Sequence, residues 1–275
     1  MRICISHLTR YRYERPVSGI VQLLRLTPRN HETQYVMRWR LETSADCRLD
    51  QHEDAFGNIT HFFGADGPLR ELSVLAEGEV ETRDAQGIVR GSVERFPPGL
   101  YLRATPLTRC DAQIAEFAAA CCADDGSDPL GLLHRILARL SEKIVYDPDP
   151  THTATTAPEA FALGRGVCQD LAHIFIAAAR QLGIPARYVG GYFHRSDGMN
   201  EQEAGHAWAE AHVPELGWVG FDPANAICAT DAHVRVAVGL DYLGAAPLRG
   251  TRYGGTRELL SVNVRVQQAA QQTQN

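Results

Sequence analysis

The sequence predicts an α+β protein: a β-sandwich over residues 1–105, a core over residues 106–267 in which one helix packs on an antiparallel sheet, and a disordered tail over residues 268–275. Three observations predict it. Apolar residues repeat with period two in several runs of the first hundred residues. The repeat changes to steps of three and four after Phe96-Pro97-Pro98-Gly99, and period two returns beyond Gly183. A chain of 275 residues that is 44% hydrophobic suffices for two ordinary cores.

The elements follow in order. Tyr35, Met37, Trp39 and Leu41 alternate with Val36, Arg38 and Arg40, and Leu72, Val74, Ala76 and Val80 repeat the pattern. Asp54 to Asn58 offers a turn before a strand at Ile59 to Phe63. Helices are expected at Ala112 to Cys122 and after Asp128-Pro129, an N-cap and first-turn proline. Leu130, Leu133, Leu137 and Leu140 give the second helix an apolar stripe. Asp147 to Thr151 is a rigid connection, and Thr156-Ala157-Pro158-Glu159 is a capping box opening a short helix that ends at Gly164. Another helix starts at or just after Cys168, with Leu171, Ile174, Phe175, Ala178 and Leu182 on one face, and Gly183 and Pro185 end it. Strands are expected at Ala186 to Phe193, His206 to Val213 and Trp218 to Phe221, the last two joined by a turn at Pro214 to Gly217. Leu260, Val262, Val264 and Val266 suggest a closing strand, and the Gln-rich end from Gln267 is expected to be disordered.

A net charge of −6 argues against a nucleic-acid partner, because phosphate neutralisation needs clustered Lys and Arg. The opening residues form no export signal and no later segment is long and apolar enough to span a bilayer, so a cytoplasmic location without a membrane partner is expected. The odd number of seven scattered cysteines reads as reduced thiols, most of them packing residues. No Cys-x-x-Cys spacing, phosphate loop, dinucleotide fingerprint or metal-binding helix motif occurs, so no cofactor and no metal is expected. Asp124 to Asp128 lacks calcium-ligand spacing and reads as a solvated turn.

Cys168 stands apart through its position. A helix N-terminus carries unsatisfied N–H groups and partial positive charge, which favour a thiolate. Its backbone N–H is also placed to donate to an oxyanion. His206 opens a strand and Asp222 follows the end of the next one; in an antiparallel hairpin those two positions are neighbours at the end away from the turn. Cys168, His206 and Asp222 thus fit a nucleophile, its base and the acid that orients the base. Taken singly, each has a plainer reading: a buried small residue, a packing histidine and a turn-forming Asp-Pro. His173 lies roughly 140° around the helix from Cys168. His212 lies near the turn, away from the site.

Two motifs go further. Gly166-Val167-Cys168-Gln169-Asp170, with Leu182-Gly183-Ile184-Pro185-Ala186-Arg187-Tyr188-Val189-Gly190-Gly191-Tyr192, precedes His206-Ala207-Trp208-Ala209-Glu210 and Trp218-Val219-Gly220-Phe221-Asp222-Pro223. These resemble the bacterial transglutaminase-like proteins of the papain-like superfamily. Tyr11-Arg12-Tyr13 and Leu24 to Arg29 resemble the family's β-rich N-terminal region, and Val236 to Asp241 with Pro247 to Gly250 its carboxyl-terminal segment. The resemblance implies a papain-like core with Cys168, His206 and Asp222 in the three catalytic roles. Gly166, Gln169 and Trp208 are assigned to oxyanion or substrate contacts, and Asp170 to a first-turn carboxylate favoured by the helix dipole. The Asp241 to Ala246 stretch departs from the family pattern, which more often has an acidic residue after the Tyr.

The implied activity is acyl transfer on an amide, peptide or isopeptide bond of a peptide or protein substrate, through a Cys168 thioester and on to water. Cross-linking of protein glutamines or amine transfer is the alternative. A non-catalytic peptide-binding module is the rival class, and a zinc hydrolase is the remaining one. Oligomeric state is not encoded in any feature of the sequence.

Overall fold

The computed structural model describes residues 1–122 and 128–269. Its elements are β1 (Arg2–Thr27), β2 (Gln34–Thr43), β3 (Asp50–Glu53), β4 (Ile59–Thr82), β5 (Ile88–Val89), α1 (Ala112–Ala120), α2 (Pro129–Lys143), β6 (Val145–Tyr146), α3 (Ala157–Leu163) and β7 (Arg165–Gly166). They continue with α4 (Cys168–Gln181), β8 (Ala186–Phe193), β9 (Glu201–Gln202), β10 (His206–Val213), β11 (Gly217–Asp222), β12 (Ile227–Cys228), β13 (His233–Gly239), α5 (Tyr242–Ala245), β14 (Leu248–Gly254) and β15 (Glu258–Gln268).

β1 and β4 dominate the N-terminal part. At 26 and 24 residues they are several times the usual strand length and form one long antiparallel ribbon. Two C-terminal strands line the other edge of β1 in tandem: β15 pairs with Ile3 to Tyr13, and β14 with Val17 to Leu24. The β1–β4 register shifts between Arg12 and Val17, where the ribbon bends. One apolar cluster runs across this shift and joins Ile20, Leu24 and Phe63 with Leu72, Val74 and Ala76. The strands of this β-rich part are hydrogen-bonded into one seven-stranded sheet of order β2-β4-β1-β15-β9, with β14 on β1 and β3 on β4. β2, the edge strand, leaves Tyr35 and Met37 exposed although they alternate as a buried face would.

The division expected near residue 105 does not follow the sheets. β14 and β15 belong to the first sheet, while β5, from the N-terminal part, pairs with β11 in the second. β15 also runs through Gln268, so the strand enters the expected tail; residues 270–275 lie outside the described residues. The solvated turn expected at Asp124 to Asp128 falls largely outside them too. Asp128 stands at the N-cap position of α2, but its side chain makes no capping hydrogen bond.

The second sheet has the order β12-β11-β10-β8-β13 and carries α4 on one face. The capping box of α3 forms as expected, and Gly164 ends that helix at φ 67, a left-handed conformation that suits glycine. α4 is more enclosed than a one-faced helix. Every residue from Gln169 to Arg180 is buried, because Ala157, Ala160 and Phe161 of α3 and Leu133, Ile136 and Leu140 of α2 join its apolar cluster. Its buried Arg180 is satisfied by the carbonyls of Tyr101, Ala186 and Leu240 and by the Thr108 hydroxyl, each within 2.8 Å. β13 is an edge strand, and side-chain amides cover it. Gln34 donates to the Arg235 carbonyl and accepts from its N–H, and Asn58 does the same at Val238, all at 2.8 Å.

Candidate active site

The connection Arg165-Gly166-Val167 delivers Cys168 to the first position of α4, where the helix leaves backbone N–H groups without intrahelical acceptors. β7 pairs in parallel with β6, fixing the approach two residues before the cysteine. Asp170 secures the other side: its Oδ2 accepts from the Val167 N–H at 2.9 Å and from the Thr151 hydroxyl at 2.8 Å. The carboxyl is 1% exposed, and burial pushes it up from the ordinary carboxylate value against those two hydrogen bonds. It ties the Asp147 to Thr156 connection across the start of α4, a more specific task than facing the helix dipole.

β10 and β11 bring His206 and Asp222 to the same end of their hairpin, and His206 Nε2 lies 2.7 Å from Asp222 Oδ2. That leaves Nδ1 as the imidazole nitrogen free to face the thiol. Burial pushes His206 down; the charge and hydrogen bond of Asp222, with a hydrogen bond to Cys168, outweigh it and hold the ring up at about 10. Burial likewise opposes ionisation of Asp222, whose side chain is 0% exposed, yet His206 and His233 hold it well below the usual carboxylate range.

Two residues of the site have no signal in the motifs. His233, opening β13, places Nε2 3.0 Å from Asp222 Oδ2. Asn225 donates its side-chain amide to the same oxygen at 2.7 Å, while Asp222 Oδ1 accepts from the backbone N–H of Ala224 at 3.1 Å. Asn225 is three residues past Asp222, within reach of an Asx-type turn, so local spacing offered a hint. Nothing in the neighbourhood of His233 in the sequence points to Asp222.

Gly166, Gln169 and Trp208 are occupied by the protein itself. A Cβ on Gly166 would meet the Asp170 carboxylate at 2.7 Å, so glycine is needed there for the close packing of Asp170. The Gln169 amide donates to the Thr153 carbonyl at 3.2 Å, a second tie from α4 to the connection that Asp170 holds. Trp208 is buried, with its ring stacked 6.1 Å from His206 and edge-on to His233 at 5.2 Å. Beneath it, Glu210 accepts from Arg187 at 2.6 Å and from Arg235 at 2.7 Å, and the Arg187 guanidinium lies 3.9 Å over the Trp218 ring. His173 is fully buried, accepts from the Tyr242 N–H at 3.0 Å and is pushed down to about 3 by burial. His212 packs on Trp218 near the hairpin turn. Both stand apart from the site.

The chain resembles known proteins over nearly its whole length. Residues 3–81 match the bacterial transglutaminase-like N-terminal region, and residues 117–223 the transglutaminase-like superfamily. An uncharacterized protein of Mycobacterium leprae is 31% identical over 98% of this chain and 99% of its own. A protein-glutamine gamma-glutamyltransferase of Pseudomonas aeruginosa is 30% identical over 148 residues, 47% of this chain and 21% of that one. A solved structure described as a "Putative Cysteine Protease" from Cytophaga hutchinsonii superposes with a TM-score of 0.72 at 19% identity, covering 97% of this chain and 98% of that one. With a papain-like helix-on-sheet core and the family's N-terminal region both present, the chain belongs to the transglutaminase-like superfamily.

Proposed function

We propose that the protein is a cysteine enzyme that cleaves an amide, peptide or isopeptide bond by acyl transfer through Cys168. The observation that carries this reading is His206, whose Nε2 lies 2.7 Å from Asp222 Oδ2 and whose proton affinity the neighbouring Cys168 also raises. The thiolate sulfur attacks the carbonyl carbon, and the Cys168 backbone N–H stabilises the oxyanion. The C–N bond breaks as His206 passes its proton to the departing amine, leaving a thioester and a neutral imidazole. Water then loses a proton to His206 as its oxygen attacks the thioester, and the thiolate leaves with the ion pair restored. Asp222 holds the imidazole orientation through both steps.

Cys168 is only partly buried and the His206 side chain is 11% exposed, so water has access to the thioester, which favours hydrolysis. Transfer to an amine is the second reading, favoured by the likeness to the Pseudomonas aeruginosa glutamyltransferase. A peptide or protein donor and a cytoplasmic setting belong to the same proposal; the free state of all seven cysteines and the net charge of −6 support a reducing compartment and no nucleic-acid partner. Glutamine-containing peptides offered with both water and an amine, followed by mass spectrometry, report donor and acceptor together. Cys168→Ala is expected to abolish turnover without loss of fold, and Cys168 to react first among the thiols with iodoacetamide. Full activity in Cys168→Ala would end the mechanism, and uniformly slow labelling would favour a binding module.

A further inference from the structure

We infer that His233 is a positioning residue of this site, a second imidazole that shares Asp222 Oδ2 with His206 and limits how strongly the carboxylate grips the catalytic ring. The inference rests on the catalytic reading above. His233 Nδ1 lies 3.0 Å from the Thr230 backbone N–H, which can only donate, so Nδ1 accepts. The neutral ring therefore carries its proton on Nε2, the atom 3.0 Å from Asp222 Oδ2. Phe193 and Trp208 enclose the ring at 4.6 and 5.2 Å. β13, which presents it, is held along its outer edge by the Gln34 and Asn58 amides. The donor is thus fixed in direction, rotamer and tautomer.

His206, Asp222 and His233 have ligand atoms within 4.8 Å of one another, a spacing a metal ion could also use. Here each Nε2 points at the carboxylate oxygen itself, at 2.7 and 3.0 Å, and Asn225 donates to the same atom, so hydrogen bonds account for the closeness. The other charged and titratable groups near the ring are His31, Arg83, Glu210 and Arg235, which line the small cavity beneath it with Trp208. Glu210 is paired with Arg235 at 2.7 Å and with Arg187, leaving Asp222 as the anion bonded to His233.

Each donor on Oδ2 withdraws carboxylate charge from the others. Removing the His233 donor leaves more of that charge on His206, which then holds its proton to higher pH. The gain in grip would slow the proton's transfer to a leaving amine.

The test is the rate of Cys168 alkylation by iodoacetamide across pH, followed by mass spectrometry on the full chain. In the native protein the profile shows a step where His206 loses its proton. In His233→Ala this step is expected to move up by about half to one unit, and in His233→Gln, whose amide reaches where Nε2 stood, to stay at the native position. A folded His233→Ala with an unmoved step, or a His233→Gln shifted as far as the alanine variant, would overturn the inference and reduce His233 to packing. Should the alanine variant fail to fold, nitrogen-15 NMR of the native histidines decides. A proton on Nε2 of His233 that responds when Cys168 is alkylated supports the role; the other tautomer, or no response, refutes it. A native profile with no His206 step would instead count against the catalytic reading.

Discussion

Asp222 remains an anion in a buried place because its oxygens meet donors from every side: His206, His233, the Asn225 amide and the backbone N–H groups after Pro223. Its opposite number, His206, is held up at about 10 from its ordinary 6.5. The signs of the two shifts differ in consequence. His206 binds its proton more tightly in the folded chain, so its contribution to stability is complete below about 6.5 and is lost as pH climbs through about 10. Asp222 releases its proton more readily in the fold, so its contribution is present above about 3.8 and disappears only in strong acid. Asp222→Asn removes the charge while keeping the shape. The expected outcome is a fall of the His206 step in Cys168 alkylation by more than ~2 units and a loss of turnover of about 10⁴, as in other triads whose acid is neutralised. Of these residues, Cys168, His206 and Asp222 were legible because each ends or begins an element and lies in a family motif. His233 was not, since its link to Asp222 joins the start of β13 to the end of β11, strands that β10 and β8 separate in the sheet.

At the scale of elements, local chemistry was a good guide wherever a cap or a breaker acts on its own neighbours. Thr156 and Glu159 form their capping box, Gly164 takes the left-handed turn, and α4 starts at Cys168. The enclosure of α4 was less legible, because its alanines and its polar His173 and Arg180 resemble an outward face until other helices and strands cover them. Phe175 shows the consequence: fully buried, it stacks on Phe221 of β11 at 5.2 Å, one residue before Asp222. Phe175→Ala should cost about 3–5 kcal/mol of stability, read as a lowered denaturant midpoint, from lost burial and an incompletely closed cavity. Because Phe221 then loses its support next to Asp222, the alkylation rate of Cys168 should fall in the folded fraction as well.

The whole molecule is closed by strands from opposite ends of the chain. Val264 and Val266 of β15 are fully buried in the core cluster that also holds Ile3, Ile5 and the apolar residues of α4. Deleting residues 256–275 should therefore destabilise the half that holds Cys168 along with the N-terminal sheet. The expected result is one cooperative loss of structure at a lowered melting temperature, checked by thermal unfolding followed at both near- and far-ultraviolet wavelengths. Unfolding of the N-terminal sheet alone, with Cys168 still selectively reactive, would show that the two parts are independent.

The sequence by itself determined the α+β class, most of the helix ends and the hairpin that carries His206 and Asp222, because caps, turns and side-chain periods act between residues a few positions apart. Only the tertiary structure decided which sheet the last strands join and that a second histidine reaches Asp222. Those contacts link residues up to 265 positions apart, as Ile3 with Gln268, and no local period records which distant strand will satisfy an edge or which distant donor will satisfy a carboxylate.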